Sequence, residues 1–333
     1  MGCSLAIAGV TGAVGQEFLK ILDERDFPFD SLKVLASSRS AGKKIEFKSK
    51  EYIVEELTKD SFARVDIALF SAGASRSREF APAAVGAGAV VVDNSSAFRM
   101  DADVPLIIPE INPQKIEENK GIIANPNCST IIGIVPVWPL HKANPVKRMV
   151  VSTYQAASGA GQSAMLELLE QTREVLAGKE PTCKAFKYQI AFNVFSHDSA
   201  LEPNGYNLEE VKMVNETRKI FDCPEIAITC TCIRIPVLRA HCESINLEFT
   251  DPMSPVQVRD LLSTAPGVSV LDDREKNRFP MPIDASGKDD VLVGRIRQDE
   301  SIPENRGINI WVAGDQLRKG AALNAIQIAE KLL

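Results

Sequence analysis

The segment Gly9-Val10-Thr11-Gly12-Ala13-Val14-Gly15 does most to narrow what this chain can fold into. It follows the apolar run Ser4–Ala8 and opens the amphipathic stretch Val14–Leu22, so a strand feeds a glycine-rich turn and then a helix. Glycine lets the backbone approach a pyrophosphate, and the N–H groups and dipole at the helix start favour its negative charge. The spacing is Gly-x-x-Gly-x-x-Gly rather than Gly-x-Gly-x-x-Gly, and such a loop can also be a plain tight turn. Its place between first strand and first helix is the one the dinucleotide fingerprint requires. The alternation continues through Leu32–Ala36, Asp66–Phe70, Phe80–Ala87 and Val90–Val92, which implies a parallel sheet with helices on both faces. At the end of the second strand stands Ser37-Ser38-Arg39-Ser40-Ala41-Gly42, where an NAD site would show an acid for the ribose hydroxyls. An arginine among hydroxyls suits an extra 2′-phosphate instead, so the expected cofactor is NADP.

From Met149 the texture changes. The segments Val150–Tyr154, Ile226–Ile235 and Ser244–Phe249 are rich in β-branched residues and alternate with helices at Ala164–Leu176 and Leu208–Ile220. This predicts a second, α+β domain with a mainly antiparallel sheet. Leu317, Ala321, Ala325, Ile328 and Leu332 recur at helical spacing, so Leu317–Leu333 should pack as an amphipathic helix.

Composition removes several classes of function. The net charge is −6 over 333 residues, so no general attraction to nucleic acid or an anionic membrane is available. The apolar run Ile131–Leu140 holds two prolines and falls well short of the ~20 residues needed to cross a bilayer. Seven irregularly placed cysteines suit reduced thiols, and none has metal-ligand spacing, so no metal is expected. Position six is Ala6 rather than Ser or Thr, which argues against acylation of Gly2, and the start is unlike a transit peptide. The expected compartment is bacterial cytoplasm, or plastid stroma for a mature plant-type form.

The sharpest chemical signal is Ala124-Asn125-Pro126-Asn127-Cys128-Ser129-Thr130-Ile131-Ile132. Pro126 sets an extended turn, and the apolar run that follows reads as a helix whose first turn begins beside Cys128, where a thiolate is favoured. Most cysteines are buried packing residues. Cys230 and Cys232, in an apolar strand, read that way, whereas Cys128 lies between Asn127 and Ser129 in a turn and reads as a nucleophile.

Asn127-Cys128-Ser129-Thr130, preceded by Asp93-Asn94-Ser95-Ser96 and followed by Tyr154-Gln155-Ala156-Ala157-Ser158-Gly159-Ala160-Gly161, resembles the aspartate-semialdehyde dehydrogenases. The likeness spans nearly the whole chain. It takes in the glycine turn, Ser71-Ala72-Gly73, Phe98-Arg99-Met100, Arg234-Ile235-Pro236-Val237 with His241, and Gly314-Asp315-Gln316-Leu317-Arg318-Lys319-Gly320. Some members have Gly before the histidine and Asn near the terminal Asp, where this chain has Ala240 and Gln316.

The resemblance implies reduction of L-aspartyl 4-phosphate by NADPH to L-aspartate 4-semialdehyde and phosphate, on the way to lysine through diaminopimelate, methionine and threonine. An acyl phosphate offers a good leaving group and a thioester accepts hydride readily, so Cys128 would form a thioester. Gln155 would orient the acyl group. His241 would be the general acid/base, since a histidine's ordinary pKa allows proton transfer either way near neutrality. Arg234 would clamp the substrate carboxylate, Glu209 would hold its ammonium, and Arg99, Asn127 and Lys212 would hold the phosphate. On their own, Glu209 and Lys212 would read as a solvated i,i+3 pair. The resemblance places the cofactor on Gly9, Thr11, Gly12, Ala13, Val14, Ser37, Ser38, Arg39, Ser71, Ala72, Gly73, Ser158, Gly159 and Gln316. It also implies a Rossmann-type NADP-binding domain over 1–128 plus 315–333, a catalytic and dimerisation domain over 129–314, and a homodimer or a pair of dimers.

Three rivals share parts of this pattern. N-acetylglutamyl-phosphate reductases run the same chemistry on an acylated substrate but have no ammonium for Glu209 to hold. Glyceraldehyde-3-phosphate dehydrogenases differ around the nucleophile and usually prefer NAD. A dinucleotide-binding redox sensor would not need Gln155, Arg234 and His241 together.

Overall fold

The computed structural model describes residues 2–333, which divide into two compact units, 2–127 with 321–333 and 128–320. In the first unit six parallel strands lie in the order Glu55–Glu56, Phe29–Ala36, Cys3–Ala8, Ile67–Phe70, Val90–Asp93 and Ile122–Ala124. The chain moves outward from Cys3–Ala8 on one side and then on the other, which makes the carboxyl end of that strand the switch point where ligands bind in open α/β sheets. Alternation along the strand feeds both faces. Leu5 and Ile7 enter one core with Phe18, Leu22, Leu69 and Ile326, while Ala6 and Ala8 enter the other with Phe62, Phe70 and Ala81.

The helix Leu323–Glu330 belongs to this unit. Its Leu323, Ala325, Ile326 and Ile328 are buried in the core that also holds helix Ala13–Glu24. Asn324 donates to the Asn125 side chain at 2.6 Å and to the Ile107 carbonyl at 2.9 Å, satisfying groups that burial would otherwise leave unpaired. Two boundaries differ from expectation. Cys128 opens helix Cys128–Ala143 and so begins the second unit rather than ending the first. Residues 315–320 also stay with the second unit, because Asp315 accepts hydrogen bonds from Arg239 and the Gly287 amide and caps the backbone of Leu317 and Arg318. The expected single helix over Leu317–Leu333 therefore starts as a wide π-helical turn, Arg318–Ala322, before becoming α-helical.

The second unit is built on a seven-stranded sheet in the order Phe195–Ser196, Ala227–Arg234, Val146–Gln155, His241–Phe249, Gly307–Gly314, Val291–Gln298 and Val268–Val270. Four of its six pairings are antiparallel; Ala227–Arg234 with Val146–Gln155 and Val268–Val270 with Val291–Gln298 are parallel. Helix Cys128–Ala143 is apolar nearly all round and mostly buried, as suits a helix inside a core. Helix Leu208–Phe221 starts at a capping box in which Asn207 and Glu210 bond each other's backbone N–H groups. Among the described residues no helix is long and apolar enough to cross a membrane.

Candidate active site

In the first unit, Gly9 sits at φ +94, and a Cβ there would lie 2.4 Å from the Ser71 carbonyl oxygen. A Cβ on Gly15 would lie 2.3 Å from the Gly9 oxygen, so helix and turn can close this tightly only with glycine at both places. No side chain caps the helix at Gly12, which faces a cavity of about 410 Å³. Gly9, Thr11, Gly12, Ser37, Arg39, Ser71 and Ala72, all expected to bind cofactor, line that cavity. Ala13, Val14, Ser38 and Gly73 lie beside these in sequence but not on its wall. Lys43 and Arg76 join Arg39 there, so three cations and no acid face one space. Sequence reading missed both. Arg76 did carry a signal, because a cation in the first turn of helix Ala74–Gly86 opposes the helix dipole unless an anion faces it.

Arg99 and Asn127 are also in the first unit and buried. Arg99 donates to the carbonyls of Asn125 at 2.9 Å and Asn94 at 2.8 Å, while the Asn125 side chain donates to that of Asn94 at 2.8 Å. Asp93 accepts from Ser77 and Ser95 at 2.7 and 2.6 Å, and burial raises its pKa despite those bonds.

In the second unit, strand register gathers the remaining side chains. Arg234 pairs with Gln155, and Cys242, next after His241, pairs with Tyr154, so three strand ends deliver Arg234, Gln155 and His241 to one place. Cys128 Sγ lies 3.6 Å from His241 Nε2. The Ala156 amide donates to His241 Nδ1 at 3.0 Å, so the neutral ring carries its proton on Nε2, facing the sulfur. Burial, reinforced by the nearby Arg234 charge, pushes the His241 pKa down to about 3. A ring poised near neutrality was expected. The buried ring is instead a neutral N–H donor toward Cys128.

Gln155 is the hub. Its amide donates to Ser129 Oγ at 2.9 Å and approaches Glu209 Oε1 at 3.4 Å, while its oxygen accepts from Arg234 Nη1 at 3.2 Å. Lys212 Nζ is 3.1 Å from Glu209 Oε2. Of the two adjacent glutamates, Glu210 is tied to the Asn207 and Cys232 amides, so Glu209 is the one turned toward Gln155. A Cβ on Gly159 would lie 2.8 Å from Arg234 Nη1 and 2.9 Å from His241 Nε2, so that loop passes directly over the pair. Gln316 donates to Ser158 and accepts from the Ala240 amide at 2.9 Å, holding Ala240 at φ +73, a left-handed conformation costly for alanine. Cys232 and Cys242 are buried as packing residues: the contact with the Cys230 thiol, and then burial, raises the pKa of Cys232, while burial beside Glu243 raises that of Cys242 to about 12. Among the described residues no cluster of His, Cys, Asp or Glu could hold a metal ion.

A dinucleotide-type cavity in one unit and a cysteine–histidine pair in the other are the features of a dehydrogenase with a nucleotide-binding domain. The first unit matches the NAD-binding domain of semialdehyde dehydrogenases over residues 4–119, and the second matches their dimerisation domain over 137–319. The chain is 54% identical to an aspartate-semialdehyde dehydrogenase of Prochlorococcus marinus, over 99% of this chain and 96% of that one, and 53% identical to one of Synechocystis, over 99% and 97%. The crystal structure of aspartate semialdehyde dehydrogenase II from Vibrio cholerae superposes with a TM-score of 0.96 at 46% identity, covering 100% of this chain and 98% of that one. The chain belongs to the aspartate-semialdehyde dehydrogenase family.

Proposed function

We propose that the chain reduces L-aspartyl 4-phosphate to L-aspartate 4-semialdehyde and phosphate with NADPH, through a thioester on Cys128. The step would serve lysine, by way of diaminopimelate, methionine and threonine synthesis. The observation that carries this reading is Cys128 Sγ at 3.6 Å from His241 Nε2, beside the linked series Lys212, Glu209, Gln155 and Arg234. The Cys128 sulfur attacks the acyl carbon, the carbon–oxygen bond to phosphate breaks, and the phosphate leaves with the proton the reaction consumes. Arg234 holds the substrate carboxylate and Glu209 its ammonium, while Lys212, Arg99 and Asn127 hold the phosphate. Bound NADPH supplies the hydride. The Nε2–H of His241 then steadies the oxyanion, which collapses to the aldehyde and frees the sulfur.

NADP is the proposed cofactor because Arg39, Lys43 and Arg76 face the cavity with the hydroxyls of Ser37 and Ser40. A structure of a Candida albicans aspartate semialdehyde dehydrogenase with NADP, 25% identical with a TM-score of 0.76 and covering 100% of this chain and 98% of that one, supports the choice. Homodimerisation, or assembly into pairs of dimers, through the second unit is supported by its exposed Leu166, Leu176, Phe192 and Val194. A reducing compartment, cytoplasm or plastid stroma, fits seven irregularly placed cysteines. The test is formation of NADPH from NADP with L-aspartate 4-semialdehyde and phosphate. We expect turnover that requires phosphate and prefers NADP to NAD. Turnover with N-acetylglutamate semialdehyde instead would overturn the substrate assignment.

A further inference from the structure

We propose that His197, through Ser199, is a positioning residue that fixes the distance between Arg234 and Glu209 and so sets the length of amino acid the site accepts. The inference rests on the proposed roles of those two residues. The short strand Phe195–Ser196 pairs with Ile233 and Arg234, and the His197 amide continues the pairing to the Cys232 carbonyl at 2.8 Å, which brings the histidine ring alongside Arg234. His197 Nε2 is 2.8 Å from Arg234 Nη2. A guanidinium can only donate, so Nε2 must accept, and the neutral ring must carry its proton on Nδ1. That N–H faces Ser199 Oγ at 3.1 Å. The Ser199 amide also points at Nδ1 from 3.2 Å, a bond open only to the opposite tautomer; the shorter, charge-assisted contact from Arg234 at 2.8 Å outweighs it and selects Nδ1–H. Ser199 Oγ accepts in addition from the Glu209 amide at 3.2 Å, in the first turn of helix Leu208–Phe221.

The result is an unbroken series from guanidinium to imidazole to hydroxyl to the backbone that carries Glu209. A second path joins the same two residues through Gln155. Two routes of different length between the same ends define a closed ring, which resists both shear and stretch. Burial, with the Arg234 charge beside it, keeps His197 neutral by pushing its pKa down to about 4, so the series persists at neutral pH. The remaining histidine, His141, is used otherwise: its Nδ1 accepts from the Val146 amide while its ring stacks on Trp138 and Phe221.

The experiment compares wild type with His197→Phe and His197→Gln in the phosphate-dependent assay. Phenylalanine keeps ring bulk and removes the acceptor; glutamine restores an acceptor for Arg234. Losing a hydrogen bond to a charged group should raise KM for L-aspartate 4-semialdehyde by about tenfold or more in His197→Phe, with kcat falling less, and His197→Gln should recover most of it. KM for NADP and the melting temperature should stay near wild type. Equal KM values in wild type and His197→Phe, or a loss that His197→Gln fails to recover, would overturn the inference. Ring-nitrogen NMR of histidine-labelled protein gives a readout that needs no turnover. An Nδ1–H tautomer at His197 is expected, and an Nε2–H tautomer would break the bridge whatever the substrate. A wild-type enzyme inactive on this substrate but carrying the Nδ1–H tautomer would sink the functional reading and, with it, the claim about substrate length.

Discussion

The nucleotide cavity and the cysteine site are made in opposite ways. The cavity is walled by backbone turns and by side chains reaching out from short loops, several of them partly exposed, and almost all its chemistry lies within a few residues of a strand end. The cysteine site sets the half-buried Cys128 among mostly buried side chains that bond to one another, and its central pair is separated by 113 residues in sequence. A site of the first kind should lose affinity in proportion to each contact removed. One of the second kind should fail as a unit, because removing one member leaves its partners buried and unsatisfied.

The largest expected effect tests whether the two sites are separable. Cys128→Ala should lower turnover by about a thousandfold or more while NADP titrates the protein as before. Loss of NADP binding in that variant would break the comparison. Next is Glu243, two residues beyond His241 on the same face of its strand, wholly buried, with neither carboxylate oxygen bonded among the described residues. Burial raises its pKa well above 4.5, so the folded protein holds a proton that the unfolded chain releases. Its contribution to stability is full below about pH 4.5 and is lost as pH rises toward the folded value, at about 1.4 kcal/mol per pH unit. Glu243→Gln should therefore melt higher than wild type at pH 8 and match it near pH 4, measured by thermal denaturation. His241 and His197 run the other way: their depressed values supply stability above pH 6.5 that is lost as pH falls toward 3 to 4.

A smaller change is expected at the open cavity. Arg39→Ala should weaken NADP by about tenfold and leave NAD nearly unchanged, since two other cations share the same space. An equal loss with both dinucleotides would place Arg39 on something other than the 2′-phosphate. The smallest effect concerns Ala240. Glycine carries no penalty at φ +73, so Ala240→Gly should gain about 1 kcal/mol in chemical denaturation with kcat little altered.

The same contrast decides what could be read from the residues. The glycine turn and Arg39 are contiguous with a strand end, and local spacing was enough to place them on the cavity wall. Lys43 arrives there from a turn and Arg76 from the first turn of helix Ala74–Gly86, and nothing local distinguishes them from solvated cations except the unfavourable helix position of Arg76. Cys128 was legible from its turn. Gln155, Arg234 and His241 were legible only through a family pattern, because strand register brings them together and register is a property of the whole sheet. The pairing of His197 with Arg234 depends on a two-residue strand too short to show a period. The hairpin Lys44–Phe47 with Lys50–Ile53 and the strands Val291–Gln298 and Gly307–Gly314 were likewise unread. The depression of the His241 pKa could not be foreseen, since it comes from burial rather than from residue type.

Returning residues 321–333 to the first unit has a consequence for how the chain is made. Ribosomes deliver a polypeptide from its amino end, and domains generally close in that order. Here the order is inverted. The sheet that emerges first lacks Leu323, Ile326 and Ile328 until the ribosome has passed residue 330, while the intervening unit already has every residue of its own core. The unit synthesised first is the last that can finish folding, and until then the part of one sheet face beside helix Ala13–Glu24 stays open to chaperones or to other nascent chains.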